Sequence, residues 1–103
     1  MSDKFGELPS KGAFSEQVDS IFHARIGEGA DFDLRLVQFD DIVSNAVQEN
    51  FTLMFQAPLD APAVQNTFRL DHESLGTINL FLVPVKKNEN GLYYEAVLNR
   101  FIS

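Results

Sequence analysis

Apolar and polar residues alternate with a period of two through most of this chain, and that feature commits it to β-structure. Phe22, Ala24 and Ile26 alternate with His23 and Arg25; Phe32, Leu34 and Leu36 alternate with Asp33, Arg35 and Val37. Successive strand residues point to opposite faces, so each run offers one apolar face to a core. Gly27-Glu28-Gly29 separates the two runs. That predicts an antiparallel hairpin whose outward face carries His23, Arg25, Asp33 and Arg35, a mix suited to cross-strand pairing.

The pattern resumes further on. Phe51, Leu53 and Phe55 alternate with Thr52, Met54 and Gln56 until Ala57-Pro58-Leu59-Asp60-Ala61-Pro62. Proline cannot donate to a ladder, so the strand stops there. Phe68, Leu70 and His72 alternate with Thr67, Arg69 and Asp71, and Ser74-Leu75-Gly76 predicts a turn. Residues 78–85 are apolar on both faces, which predicts a strand covered on each side. Pro84 inside it demands an edge or a bulge. Residues 86–91 predict a hairpin loop ending in Asn90-Gly91, and Leu92 to Phe101 form the last strand.

Two stretches lack the alternation. Ile42, Val43, Ala46 and Val47 have helical spacing, but the piece is short, and residues 40–50 are expected to be an irregular connection. Residues 1–13, with Gly6, Pro9, Ser10 and Gly12, predict an extended N-terminal arm ahead of a single β-domain over 14–103. Ser15 before Glu16, Gln17 and Val18 is a helix-start signal, giving one or two turns around 15–19. Phe14 and Val18 would share a face there.

The expectation is an all-β fold: a small antiparallel barrel or sandwich of about six strands, with at most one or two short helical segments. The links are too short for the crossovers that parallel pairing needs. Phe22, Phe32, Leu34, Leu36, Phe51, Leu53, Phe55, Phe68, Leu70, Ile78, Leu80 and Leu82 would form the core.

Composition narrows the function. The chain has 103 residues, enough for one domain, and no cysteine. Disulfides, thiolate metal sites and cysteine nucleophiles are excluded, and packing or assembly must hold the domain together. The net charge is −7, concentrated in residues 1–50 with ten acids against four Lys and Arg. Phosphate binding needs a basic footprint, so nucleic acid and anionic membranes are disfavoured as partners. The first residues carry no apolar signal segment, and no apolar run reaches the roughly 20 residues that span a bilayer. The expectation is a soluble cytoplasmic protein, with release as part of an assembly left open. Ten Phe against two Tyr and no Trp point to core filling rather than carbohydrate platforms.

The C-terminal half carries a more specific pattern. Phe51-Thr52-Leu53-Met54-Phe55-Gln56-Ala57-Pro58 is followed by Leu75-Gly76, then Leu80-Phe81-Leu82-Val83-Pro84-Val85, then Tyr94-Glu95-Ala96-Val97-Leu98-Asn99-Arg100. This ending resembles a family of small bacterial domains of unknown function. The similarity covers residues 51–101 closely and 14–40 by pattern. It implies an association with phage-tail-like or tail-collar-like genes and no established activity or residue roles. Read from the residues themselves, Gly76 permits an unusual backbone angle, Pro84 ends pairing, and Glu95, Asn99 and Arg100 are architectural.

The chemical constellations are thin. Asp71-His72-Glu73 with Ser74 contains the letters of a triad, but adjacent strand residues diverge and Ser74 has no nucleophile elbow. His23 and His72 with a carboxylate could hold zinc or iron, without any supporting spacing. Asp31-Phe32-Asp33 and Asp40-Asp41 are acidic pairs, and residues 28–33 lack the terminal Glu of a calcium loop. Gly27-Glu28-Gly29 lacks the Lys-Ser/Thr and helix of a phosphate loop. No catalytic, cofactor-binding or metal residue is therefore assigned and no cofactor is expected.

The function expected is a non-enzymatic structural or protein-interaction module. It would self-assemble or dock on a larger partner, with a phage-tail-like apparatus as one setting. The alternative is a small β-barrel binding an apolar ligand, and an enzyme using His72 or Glu95 ranks last.

Overall fold

The computed structural model describes residues 9–101 apart from 28 and 46; the arm expected over residues 1–8 lies outside the described residues. Its elements are α1 (Lys11–Ser15), β1 (Ile21–Ile26), β2 (Ala30–Ser44), β3 (Gln48–Ala57), β4 (Asn66–His72), β5 (Gly76–Asn88) and β6 (Gly91–Phe101). The strands close into a barrel in the order β1-β2-β3-β6-β5-β4, every neighbour antiparallel. Successive hairpins link β4, β5 and β6, and β6 then pairs with β3. That is a Greek key, reached through the proline-rich link over residues 58–65.

All twelve residues expected in the core pack there, with Phe32 half-buried against the rest. Phe22 meets Phe55 edge to face at 5.3 Å, and Phe68 meets Tyr94 at 5.1 Å. Burial pushes the Tyr94 phenol up to about 12, and its hydroxyl donates to the Pro62 carbonyl oxygen. A buried phenol needs such a partner, and this one ties the proline-rich link to the wall.

The helix lies earlier than expected. Ser10, not Ser15, is its cap: the Ser10 Oγ accepts from the Ala13 N–H at 3.1 Å. Residues 11–13, read as arm, are helical, and residues 16–19 form the turn that follows. Gly12 is exposed inside the helix, where glycine costs about 1 kcal/mol relative to alanine and is tolerated. Phe14 is fully buried and packs on Phe51, while Val18 stays exposed. Backbone bonds from Asp19 to Leu36 and from Leu36 to Ser20 then fasten this segment to β2.

Residues 40–50 form neither a helix nor an irregular connection. β2 runs through to Ser44 and returns as β3 from Gln48. Register shifts between Leu36 and Gln38 and between Asp41 and Val43 break the alternation, which hid this strand in the sequence. Asn45 closes the turn, its side-chain oxygen accepting from the Val47 and Gln48 N–H groups.

The β5–β6 hairpin is tighter than expected. Residues 86–88 belong to β5, and Asn88 pairs with Gly91. Gly91 has φ 147, and a Cβ there would overlap the Ala57 carbonyl oxygen. The register shifts between Pro84 and Lys86, the bulge that Pro84 demanded. β5 is not covered on both faces, because Phe81 and Val85 are exposed.

Candidate functional site: the parted β5–β6 hairpin

From its turn, the β5–β6 hairpin pairs as far as Val83 opposite Glu95 and then stops. Continued pairing would set Phe81 opposite Val97, Leu80 opposite Leu98, and Asn79 opposite Asn99. These residues instead line the two sides of an open groove of about 520 Å³. The strands part because each follows a different neighbour. Residues 76–82 of β5 remain paired to β4, and β6 stays paired to β3 through Phe101. Sheet twist carries the two pairs away from each other. Residues 76–82 and 96–101 therefore each have a ladder on one side only among the described residues.

The groove has an apolar floor and mixed walls. Leu80, Ala96 and Leu98 are buried and close it toward the core. Phe81 and Val97 stand outward at 53% and 68% exposure, high for large apolar side chains. Glu95 is half-buried at the closed end; Asn79 and Asn99 are exposed at the open end. Asn99 Oδ1 accepts a long bond from Gln48 Nε2 at 3.4 Å rather than bonding to backbone. Two unpaired strand edges beside exposed apolar side chains can accept an added strand.

The residues singled out as chemical candidates are not brought together. Asp71 faces outward and accepts from the Thr77 hydroxyl at 2.7 Å. That bond, helped by Arg69 and Arg25, holds its carboxyl below the ordinary value. His72 faces inward against Phe22, with ring centroids 4.3 Å apart. Its Nδ1 accepts from the backbone N–H of Ser74 and Leu75 at 2.9 and 3.1 Å. The Ser74 residue is exposed, and the hydroxyl against His72 is that of Ser20, 2.9 Å from Nε2. Ser20 itself donates to the Gln17 carbonyl at 2.6 Å. With Nδ1 accepting, Nε2 carries the proton and donates to Ser20, so His72 is not placed to take a proton from that serine. Burial also lowers its pKa.

His23 lies outward, between Asp31 and Asp33 across the β1–β2 hairpin. Its Nδ1 is 3.0 Å from Asp33, and its Nε2 pairs with Asp31. The Asp33 bond, helped by the charge of Asp31, raises its pKa and outweighs the opposing effect of desolvation. His23 and His72 thus occupy opposite faces, and no metal-holding cluster occurs among the described residues. Asp40 accepts from Gln38 and Asp41 pairs with Lys11, so the acidic pairs have partners within the fold. Glu28 of the calcium-loop reading lies outside the described residues.

Sequence reasoning passed over the groove although its signal was present. That signal is the two-faced apolar character of residues 78–85, which predicts cover on both faces, whereas Phe81 and Val85 are exposed.

No helix is long and apolar enough to cross a membrane among the described residues. No curated protein and no solved structure matches the chain. The model of a family described as a domain of unknown function, DUF6916, matches residues 9–98, and the chain belongs to that family.

Proposed function

We propose that this domain is a non-enzymatic protein-interaction module that self-assembles or docks on a larger partner by strand addition at the parted β5–β6 hairpin. The observation that carries the reading is the pair of one-sided strand edges flanking exposed Phe81 and Val97. A net charge of −7 supports protein over nucleic acid as the partner. A phage-tail-like apparatus is the setting that the sequence resemblance suggests, and a cytoplasmic origin with release as part of an assembly fits it.

Native mass spectrometry of protein purified gently from its own host tests the reading. A defined oligomer or a stoichiometric protein partner is expected, with either one lost in the Phe81→Thr, Val97→Thr double variant. A monomer that carries only a reproducible small-molecule mass would overturn it in favour of ligand binding.

A further inference from the structure

The walls of the groove indicate what enters it, an inference that rests on the interaction reading above. Glu95 is the informative residue. The other described carboxylates that lack a hydrogen-bond or ion-pair partner are exposed: Glu16, Asp19, Asp60, Glu73 and Glu89. Glu95 lacks one while half-buried, set between Met54 of β3 and Val83 of β5. Water reaches an exposed carboxylate from all sides, but a half-buried one set between apolar side chains is reached by less of it. A cation brought in by a partner would supply the missing counter-charge.

The remaining positions follow from the pleat. A strand laid along the free edge of β6 sends alternate side chains inward and outward. Its inward residues meet the floor of Leu80, Ala96 and Leu98. Glu95 is still paired with Val83, so the added strand starts beyond it: its end abuts Glu95, and its outward residues lie level with Phe81 and Val97, then with Asn79 and Asn99. We propose that the groove binds an extended segment of a different protein, added to the edge of β6, with Lys or Arg at the end that abuts Glu95, an apolar side chain level with Phe81 and Val97, and a polar one level with the two asparagines. A second copy of this chain is the poorer occupant, because each copy brings a net charge of −7 to the encounter.

The test pans the full chain against a displayed library of random twelve-residue peptides. Alternating sequences with Lys or Arg at one fixed position should be enriched at least tenfold. The Glu95→Gln variant should lose that charge preference, and Glu95→Lys should replace it with Asp or Glu at the same position. Both variants are first checked for unchanged unfolding by urea. The selected peptide should slow hydrogen exchange at residues 96–99. Absence of enrichment, or a charge preference that ignores both substitutions, overturns the proposal. Concentration-dependent protection of residues 96–99 without peptide would overturn the foreign occupant while leaving the interaction reading standing. Absence of both kinds of protection would remove both.

Discussion

The two halves of the β5–β6 hairpin share one strand pair and differ in nearly everything else. Near the turn, Gly91 lies under the Ala57 carbonyl, Lys86 sits 4.5 Å above the Tyr93 ring, and Tyr94 anchors the Pro62 carbonyl. Beyond Val83 and Glu95 the same two strands share no ladder and turn apolar side chains to solvent. The first half is held by several independent contacts. The second is held only from outside, by β4 and β3. In this fold one pair of strands combines a segment held from several sides with a segment whose facing edges stay free among the described residues.

The largest effect should come from the closed half. Gly91→Ala places a methyl group into the Ala57 carbonyl oxygen at a backbone angle that L-residues resist, and should cost about 3 kcal/mol in urea unfolding. A loss under about 1 kcal/mol would break the contrast, because the turn end would then be as yielding as the groove.

An intermediate effect concerns what holds β5 along the open half. His72 fixes the turn into β5 by accepting from Ser74 and Leu75, which only the form with a bare Nδ1 can do. Its folded pKa lies below the ordinary 6.5, so the unfolded chain takes the proton more readily. Its contribution is therefore intact above about pH 6.5 and is lost as the pH falls from there through the lower folded value. His23 runs the other way. Its raised pKa gives a contribution present below 6.5 and lost as the pH rises through the higher folded value. NMR titration should show His23 protonating at higher pH than His72, with the Ser74 and Leu75 amides exchanging faster only once His72 is protonated. The reverse order would detach the turn from His72.

The smallest effect on folding belongs to the groove. The Phe81→Thr, Val97→Thr double variant should unfold within about 0.5 kcal/mol of the parent, as surface positions do. A larger loss would make these side chains part of the barrel's own packing and erase the contrast.

The sequence exposed its core more readily than its site. Leu34, Phe55 and Leu70 each stand in an alternating run, and alternation survives translation into a strand without further information. β2 beyond Leu36 was lost because two bulges shift the faces, and a bulge leaves no mark on composition. The helix was displaced because Ser10 and Ser15 are both acceptable caps, and only the burial of Phe14 selects the first. Asp71 and His72 were correctly separated by the pleat, but Ser20 met His72 through a pairing across 52 residues that no local pattern reports. The groove stayed hidden for a related reason. Where two strands part depends on which other strands hold them, and that is a property of the closed barrel rather than of either segment.

The closure of that barrel sets how the chain reaches its native state. β1 and β4 are joined by a register of only three residue pairs, running from His23 opposite Asp71 to Arg25 opposite Arg69, although nearly half the chain separates them. Hairpins close over short loops and form early, whereas this seam must gather distant segments for a small return. It should be the last ladder to form in folding and the first to open in the native protein. Its amides then report the lowest-energy excursion of the barrel, with only the β4–β5 ladder between this seam and the parted hairpin.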